Sequence, residues 1–352
     1  MFTDESIFLR DYLFPKMNVT DSKEYKFLYK FLKDLELVNI KIISYKESFV
    51  NSLKIDSPFV SQKVTDKLCT LNQLFELNLF IGNIYLTINI HYSIHNLQKF
   101  LNEIIPLIRL LFSINPIKTK RIILNYYLID VKKELKEGFQ IPCIIGKDEA
   151  NSGSCLRDSN ESIVNIWRTE EIAKVSLHEL IHALGYDYVE DTNEIIDHYK
   201  DKYNLISDKI NTNEAYTELW ANLINFFWIS QKVKRKQYEL FITLIGLEKE
   251  FCKFQAFKIF YVTQLSTLEI DINQKTNTLA YYIIRCELYH RLPQFLKMCR
   301  IHFKNYIEIN PKKWFDFLLK NKLLKKNNRK FNKINDKLMN TTRMTCVEYE
   351  LF

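Results

Sequence analysis

Two short stretches hold side chains spaced to act together. The first, Val175-Ser-Leu-His178-Glu179-Leu-Ile-His182-Ala-Leu-Gly185, sets His178 and His182 at i and i+4. On an α-helix such residues leave the axis from nearly the same face. The two imidazoles can therefore point at one ion, with Glu179 on the rim of that face. The second stretch, Asn213-Glu214-Ala-Tyr-Thr-Glu218-Leu-Trp-Ala221, sets Glu214 and Glu218 at the same spacing. Two neutral imidazoles and one carboxylate around Zn2+ leave a fourth tetrahedral position for water, the open geometry of a catalytic site. The ion lowers the pKa of that water, and a nearby carboxylate can take its proton. On this reading His178, His182 and Glu214 are zinc ligands and Glu179 is the general base. Glu218 can accept a hydrogen bond from the non-ligating nitrogen of a histidine, which fixes its tautomer. The plainer alternative is a structural helix followed by a solvated helix face with two acids.

The surrounding residues must position these groups. Thr169 is spaced as an N-cap, with Glu170 and Glu171 in the first turn where carboxylates complement the helix dipole. Ala173, Leu177, Leu180 and Leu184 recur at helical spacing and supply a buried face, and Gly185 supplies a C-terminal stop. The short run Ser162 to Trp167 reads as a strand that leads straight into this helix.

Asn-Glu-Ala-x-x-acid after His-Glu-x-x-His resembles the thermolysin-type gluzincins. That resemblance implies His178, His182 and Glu214 as ligands, Glu179 as base, and Glu218 supporting the first histidine, with Glu where thermolysin itself has Asp. The wider stretch, from Asn151-Ser-Gly153 through Ile166-Trp-Arg-Thr-Glu-Glu171 to Trp220-Ala221, also resembles uncharacterised metallopeptidase-like proteins of large DNA viruses, over about a fifth of the chain. In zincins the strand beside the metal helix binds substrate backbone, which implies that Asn165 and Trp167 lie along the cleft; an ordinary edge strand is the alternative. Gluzincins also take an oxyanion donor from their helical half. Tyr281 is the expected residue, with Arg285 on the same helix face holding a substrate carbonyl, and Tyr289 and His290 as rivals. Two other zinc schemes fit less well. The metzincin pattern continues correctly to Gly185 but ends on Tyr188, with Asp187 one residue early. A deformylase-like scheme would recruit Cys155 as third ligand, without the glutamine-bearing loop that accompanies it.

Hydrophobic residues make up 47% of the 352, enough for a sizeable core, and only 6 Gly and 7 Pro argue against a disordered or collagen-like chain. The start, Met1-Phe-Thr-Asp-Glu-Ser, is acidic where a secretory signal needs positive charge, and no apolar run reaches 18 residues. Seven cysteines without a Cys-x-x-Cys pair fit reduced thiols. The expectation is a non-secreted, membrane-free, cytoplasmic protein, possessed of a residue usage that suggests an AT-rich and, with the resemblance, a viral genome. Of the net charge of +8, all comes from residues 312–337, which hold ten Lys or Arg and two acids.

In chain order, Asp21-Ser-Lys-Glu24 opens a helix at about 22–36, and Val38 to Ser44 reads as a strand. Gly82-Asn83 turns a hairpin whose second arm alternates Ile84, Leu86, Ile88 and Ile90 with polar residues. Ser93 is placed to cap a helix over 94–113 containing Pro106, and Asn115-Pro116 breaks the chain. Arg121 to Leu128 is a strand, and 130–160 is a long loop. An acidic connection holds His198, read as a surface histidine with a cleft-lining residue as the alternative, and leads to the Glu214 helix at 212–230. Further helices are expected at about 235–265, 276–291 and 293–306.

The sequence thus points to an α+β, zincin-like chain: a small mixed sheet on the zinc-binding helix, then a mainly helical C-terminal half. Three regions are expected, 1–75 of mixed helix and strand, 76–310 as the catalytic unit, and 311–352 as a basic tail. The expected activity is Zn2+-dependent hydrolysis of a polypeptide substrate. The alternatives are an inactive structural or host-interaction protein on the same fold, or non-specific binding of nucleic acid or an acidic partner by the tail.

Overall fold

Alternation of apolar and polar residues builds a sheet, and the turn chemistry closes it. The computed structural model describes residues 1–17, 19–93, 96–114, 120–264, 276–320 and 335–352. Strands β1 (Ile40–Phe49), β2 (Gln73–Ile81), β3 (Ile84–Tyr92), β4 (Lys120–Tyr127), β5 (Gly153–Arg157) and β6 (Glu161–Ile166) form one sheet in the order β1-β2-β3-β4-β6-β5. β2 and β3 meet at Gly82, whose φ of +57° suits a residue without a Cβ. β3–β4 and β4–β6 pair in parallel and the other neighbours antiparallel. The sheet is therefore mixed, as expected.

The helices, in order, are α1 (Asp4–Leu13), α2 (Lys23–Lys33), α3 (Gln62–Thr65), α4 (Leu97–Ile114), α5 (Lys147–Ala150), α6 (Ile172–Leu184), α7 (Asn193–Tyr203), α8 (Thr212–Ser230) and α9 (Gln237–Thr263). A π-helical turn (Leu279–Ile284) then runs into α10 (Arg285–His290), followed by α11 (Leu292–His302), α12 (Pro311–Leu319) and α13 (Asp336–Asn340). The chain is α+β, with its helices concentrated after residue 171.

α6 lies between the two halves. It packs on β5, β6 and α4 on one side and on α8 on the other. Twelve of its thirteen residues are buried, so the helix is enclosed apart from the face that meets the cleft. Its start differs from expectation. Thr169 donates its N–H to Ile129 O, and the N-cap position falls to Glu171 at φ +58°. Burial works against the Glu171 carboxylate, yet Lys133, Lys174 and Arg343 hold its pKa below the ordinary value. The end of α6 is as expected: Gly185 takes φ +72° and its N–H caps the last turn. Asn96, not Ser93, caps α4, accepting from Lys99 N at 3.0 Å. The Asn115-Pro116 break lies outside the described residues.

Among the described residues, contacts run across the expected boundaries at 75 and 311. β1 pairs with β2 along its whole length, and α1 and α2 pack on α9. Trp314 of α12 is buried, donating its indole N–H to Thr212 Oγ1 at 3.1 Å. Thr342 to Val347 are buried as well, so the C-terminal stretch is core and not tail. Of the basic run, residues 321–334 lie outside the described residues.

Candidate metal centre

The i, i+4 spacing on α6 brings the rings of His178 and His182 to one point, with Nε2 atoms 3.0 Å apart. Glu214, in the first turn of α8, completes the triangle. Its Oε2 is 3.3 Å from His178 Nε2 and 3.4 Å from His182 Nε2. The opposite ring nitrogens are both engaged. His178 Nδ1 lies 2.9 Å from Glu218 Oε2, and His182 Nδ1 lies 2.6 Å from Asp187 Oδ2. A carboxylate accepts only, so in the neutral ring each Nδ1 carries the hydrogen and each Nε2 presents a lone pair. With both rings neutral, two lone pairs and a carboxylate oxygen converge on one point. A four-coordinate ion with bonds of about 2.0–2.1 Å sets its ligand atoms roughly 3.3–3.4 Å apart, close to the distances found. The three residues could hold a metal ion.

Without an ion, the carboxylates favour a proton on the histidines. Burial opposes a charge on His182, but Asp187 and Glu214 outweigh it and carry its pKa well above the ordinary value. His178 is raised too, burial being outweighed by Glu214 and Glu218. Burial works against Glu214, yet the two histidines hold it far below the usual carboxylate range.

Around the triangle lies a cleft of about 630 Å³. Glu179 lines it; burial pushes its pKa up from the ordinary value. Tyr281, on the π-helical turn, also lines it and donates its hydroxyl to Glu214 Oε2 at 3.1 Å. Burial first, and Glu214 next, raise the Tyr281 pKa well above 10, so the phenol stays a donor. β5 forms one wall: Gly153, Ser154, Cys155 and Arg157 all face the cleft, and β5 is an edge of the sheet.

No family model matches the chain, and no solved structure matches it. A stretch of 75 residues is 33% identical to uncharacterized protein R210 of Acanthamoeba polyphaga mimivirus. That stretch is 21% of this chain and 18% of the viral protein, so most of both lies outside the likeness.

The structure brings His178, His182, Glu179, Glu214, Glu218 and Tyr281 together. It does not bring Asn165, Trp167 or Arg285 to the cleft. β6 is flanked on both sides, by β4 and β5, so it is interior. Asn165 accepts from Asn125 in a ladder of sheet asparagines, and Trp167 is wholly buried in a second apolar cluster. The edge that faces the cleft is β5. Arg285 does share a face with Tyr281, but the pair meets the Glu214/Glu218 pair residue for residue. Tyr281 reaches Glu214, while Arg285 stands behind Glu218 at 3.2 Å, fully buried. Tyr289 is buried, and neither it nor His290 lines the cleft. His198 lies on α7 and does not line it either. Cys155 does line it, and burial pushes its thiol up to about 12, far from a ready thiolate ligand.

Asp187, Gly153 and Lys174 were not singled out as site residues by the sequence. Asp187 looked like a misplaced third ligand; it is instead the carboxylate on His182, steadied by Thr217 Oγ1 at 3.0 Å. Lys174 precedes His178 by four residues, a spacing that was visible, and its Nζ lies 2.7 Å from Glu218 Oε1. Gly153 leaves room for the base: a Cβ there would stand 2.5 Å from Glu179 Oε1.

Proposed function

We propose that the chain is a zincin-like, zinc-dependent peptidase. The observation that carries this is the pair of histidines whose Nδ1 atoms are each pinned by a carboxylate while both Nε2 atoms and Glu214 Oε2 face one point. The donor set of two imidazoles and one carboxylate suits Zn2+ with a position left open. When bound, zinc supplies a Lewis acid that makes water acidic near neutral pH and polarises a carbonyl. Glu179 then takes the proton from water and passes it to the leaving amine. Tyr281, kept protonated by burial, gives a hydrogen bond to the developing oxyanion in place of the one it gives Glu214. β5 offers its free main-chain groups to an extended peptide as an added strand, the role first assigned to β6. Glu218 and Asp187 hold the histidines in orientation and tautomer.

The base separates an enzyme from a protein that only keeps the fold. Zinc-loaded protein incubated with a mixed peptide library should give cleavage products by mass spectrometry, and Glu179→Gln should keep its metal and give none. Products of equal yield from both proteins would contradict the assignment.

A further inference from the structure

Beyond Glu179, toward the N-terminal end of α6, the cleft is lined by two lysines that are almost wholly buried. The Lys174 side chain is 3% exposed and that of Lys133, from the segment after β4, is 1% exposed. An ammonium group so placed is costly unless its charge is met and its N–H groups are used. Each lysine has one carboxylate partner, Lys174 with Glu218 and Lys133 with Glu171. Both carboxylates are shared. Glu218 also holds Arg285 and the Nδ1–H of His178, and Glu171 also faces Arg343 and accepts from the amides of Met344 and Thr345. Glu218 and Glu171 are thus each shared by two buried cations, and Glu170 adds its carboxyl near Lys133 and Arg343. Glu248 and Glu348 stand beside the arginines, but burial pushes both carboxyls up to about 7, so each supplies only part of a charge at neutral pH.

An ammonium has three N–H donors, and among the described residues one carboxylate partner takes up only part of them on each lysine. Burial holds Lys133 below its ordinary pKa, and repulsion from Lys174 adds to that against the pull of Glu171. The cleft is also lined by Ser152, which is 5% exposed and whose hydroxyl oxygen has no partner among the described residues. Ser152 adjoins Gly153, the residue against which Glu179 rests, so this polar corner borders the base.

We propose that this corner binds a carboxylate of the substrate, held by the ammonium groups of Lys133 and Lys174 and the hydroxyl of Ser152. The inference rests on the peptidase reading and narrows its substrate class to peptides that carry a carboxylate beside the scissile bond. That carboxylate comes from an Asp or Glu side chain or from a free C-terminus.

The test uses full-length, zinc-loaded protein and one peptide sequence made with Asp, Asn or Leu at each position in turn, each peptide with a free and an amidated C-terminus. Cleavage is followed by mass spectrometry, and binding to Glu179→Gln by calorimetry. A charge-assisted contact predicts that the peptide offering the carboxylate is cleaved and bound at least about tenfold better than its neutral match. That preference should shrink in Lys133→Met and, to a lesser degree, in Ser152→Ala, which keeps the comparison should Lys133→Met not fold. Preference for Asp regardless of terminus assigns a side chain; preference for the free terminus assigns the α-carboxylate. Cleavage and binding indifferent to both would overturn the subsite and leave the peptidase standing. No cleavage, with carboxylate-selective binding lost in Lys133→Met, would do the reverse. No cleavage and no selectivity would overturn both.

Discussion

His182 and Glu214 hold each other's charge in the metal-free protein, and this has a consequence for metal uptake. The fold raises the pKa of His182 well above 6.5 despite burial, because Asp187 and Glu214 face it. The sign is that of a group favoured in its protonated form. The stabilisation it lends the metal-free chain is complete below the ordinary imidazole pKa and fades as pH rises through the raised value. Zinc needs the neutral ring, so it must displace that proton. Calorimetric titration of zinc into metal-free protein near pH 7, repeated in buffers of different ionisation enthalpy, should show net proton release that declines as pH increases. Heats independent of the buffer would contradict the charge pattern described. His178, Glu179 and His182 were legible in the sequence because helical spacing alone makes them neighbours. Asp187 was not, because its contact with His182 follows from the left-handed turn at Gly185, and a one-residue offset from a familiar pattern hid it.

At the scale of elements, periodicity carried the reading as far as it reaches. The hairpin at Gly82, α4 and α8 all emerged where alternation or helical spacing ran long enough to be read. β5 did not. Gly153-Ser-Cys-Leu-Arg157 has no apolar face of its own and becomes a strand only by pairing with β6, which is a property of the tertiary structure. Missing it moved the cleft edge one strand inward, onto Asn165 and Trp167. The same strand gives a test. In Gly153→Ala the new Cβ would meet Glu179 Oε1 at 2.5 Å and its Cγ at 2.7 Å, so the base must shift, while the three metal-facing residues are untouched. Metal content should match wild type, and peptide hydrolysis should fall on the order of a hundredfold, the scale of a misplaced catalytic group. Unchanged turnover would mean that Glu179 does not act from this position.

At the scale of the whole molecule, the C-terminal stretch ties the site to the helical half. Glu171 accepts from Met344 N at 2.9 Å, Glu248 accepts from Cys346 N at 2.8 Å, and Gln255 donates to Arg343 O at 2.8 Å. Tyr282 donates to Thr342 O at 2.6 Å, and Arg285 links Met344 O to Glu218. The region read from composition as a basic tail thus holds core residues at Thr342 to Val347, because composition does not report which backbone amides meet buried carboxylates. Glu248→Ala removes the acceptor for Cys346 N and Thr345 Oγ1 and a partner of buried Arg285. Stranding such groups costs about 3–5 kcal/mol, and the melting temperature of the full chain should drop by several degrees. A melting curve equal to wild type would show that the stretch is not held as described. Among the described residues no helix is long and apolar enough to cross a membrane. The central claim remains the triangle of His178, His182 and Glu214. Its most direct test is the metal content of the purified full-length chain, wild type beside Glu214→Ala and Cys155→Ala. The account predicts about one zinc per chain, lost with Glu214→Ala and kept with Cys155→Ala. Wild-type protein that stays zinc-free after chelation and re-addition, or zinc that follows Cys155 and not Glu214, would contradict it.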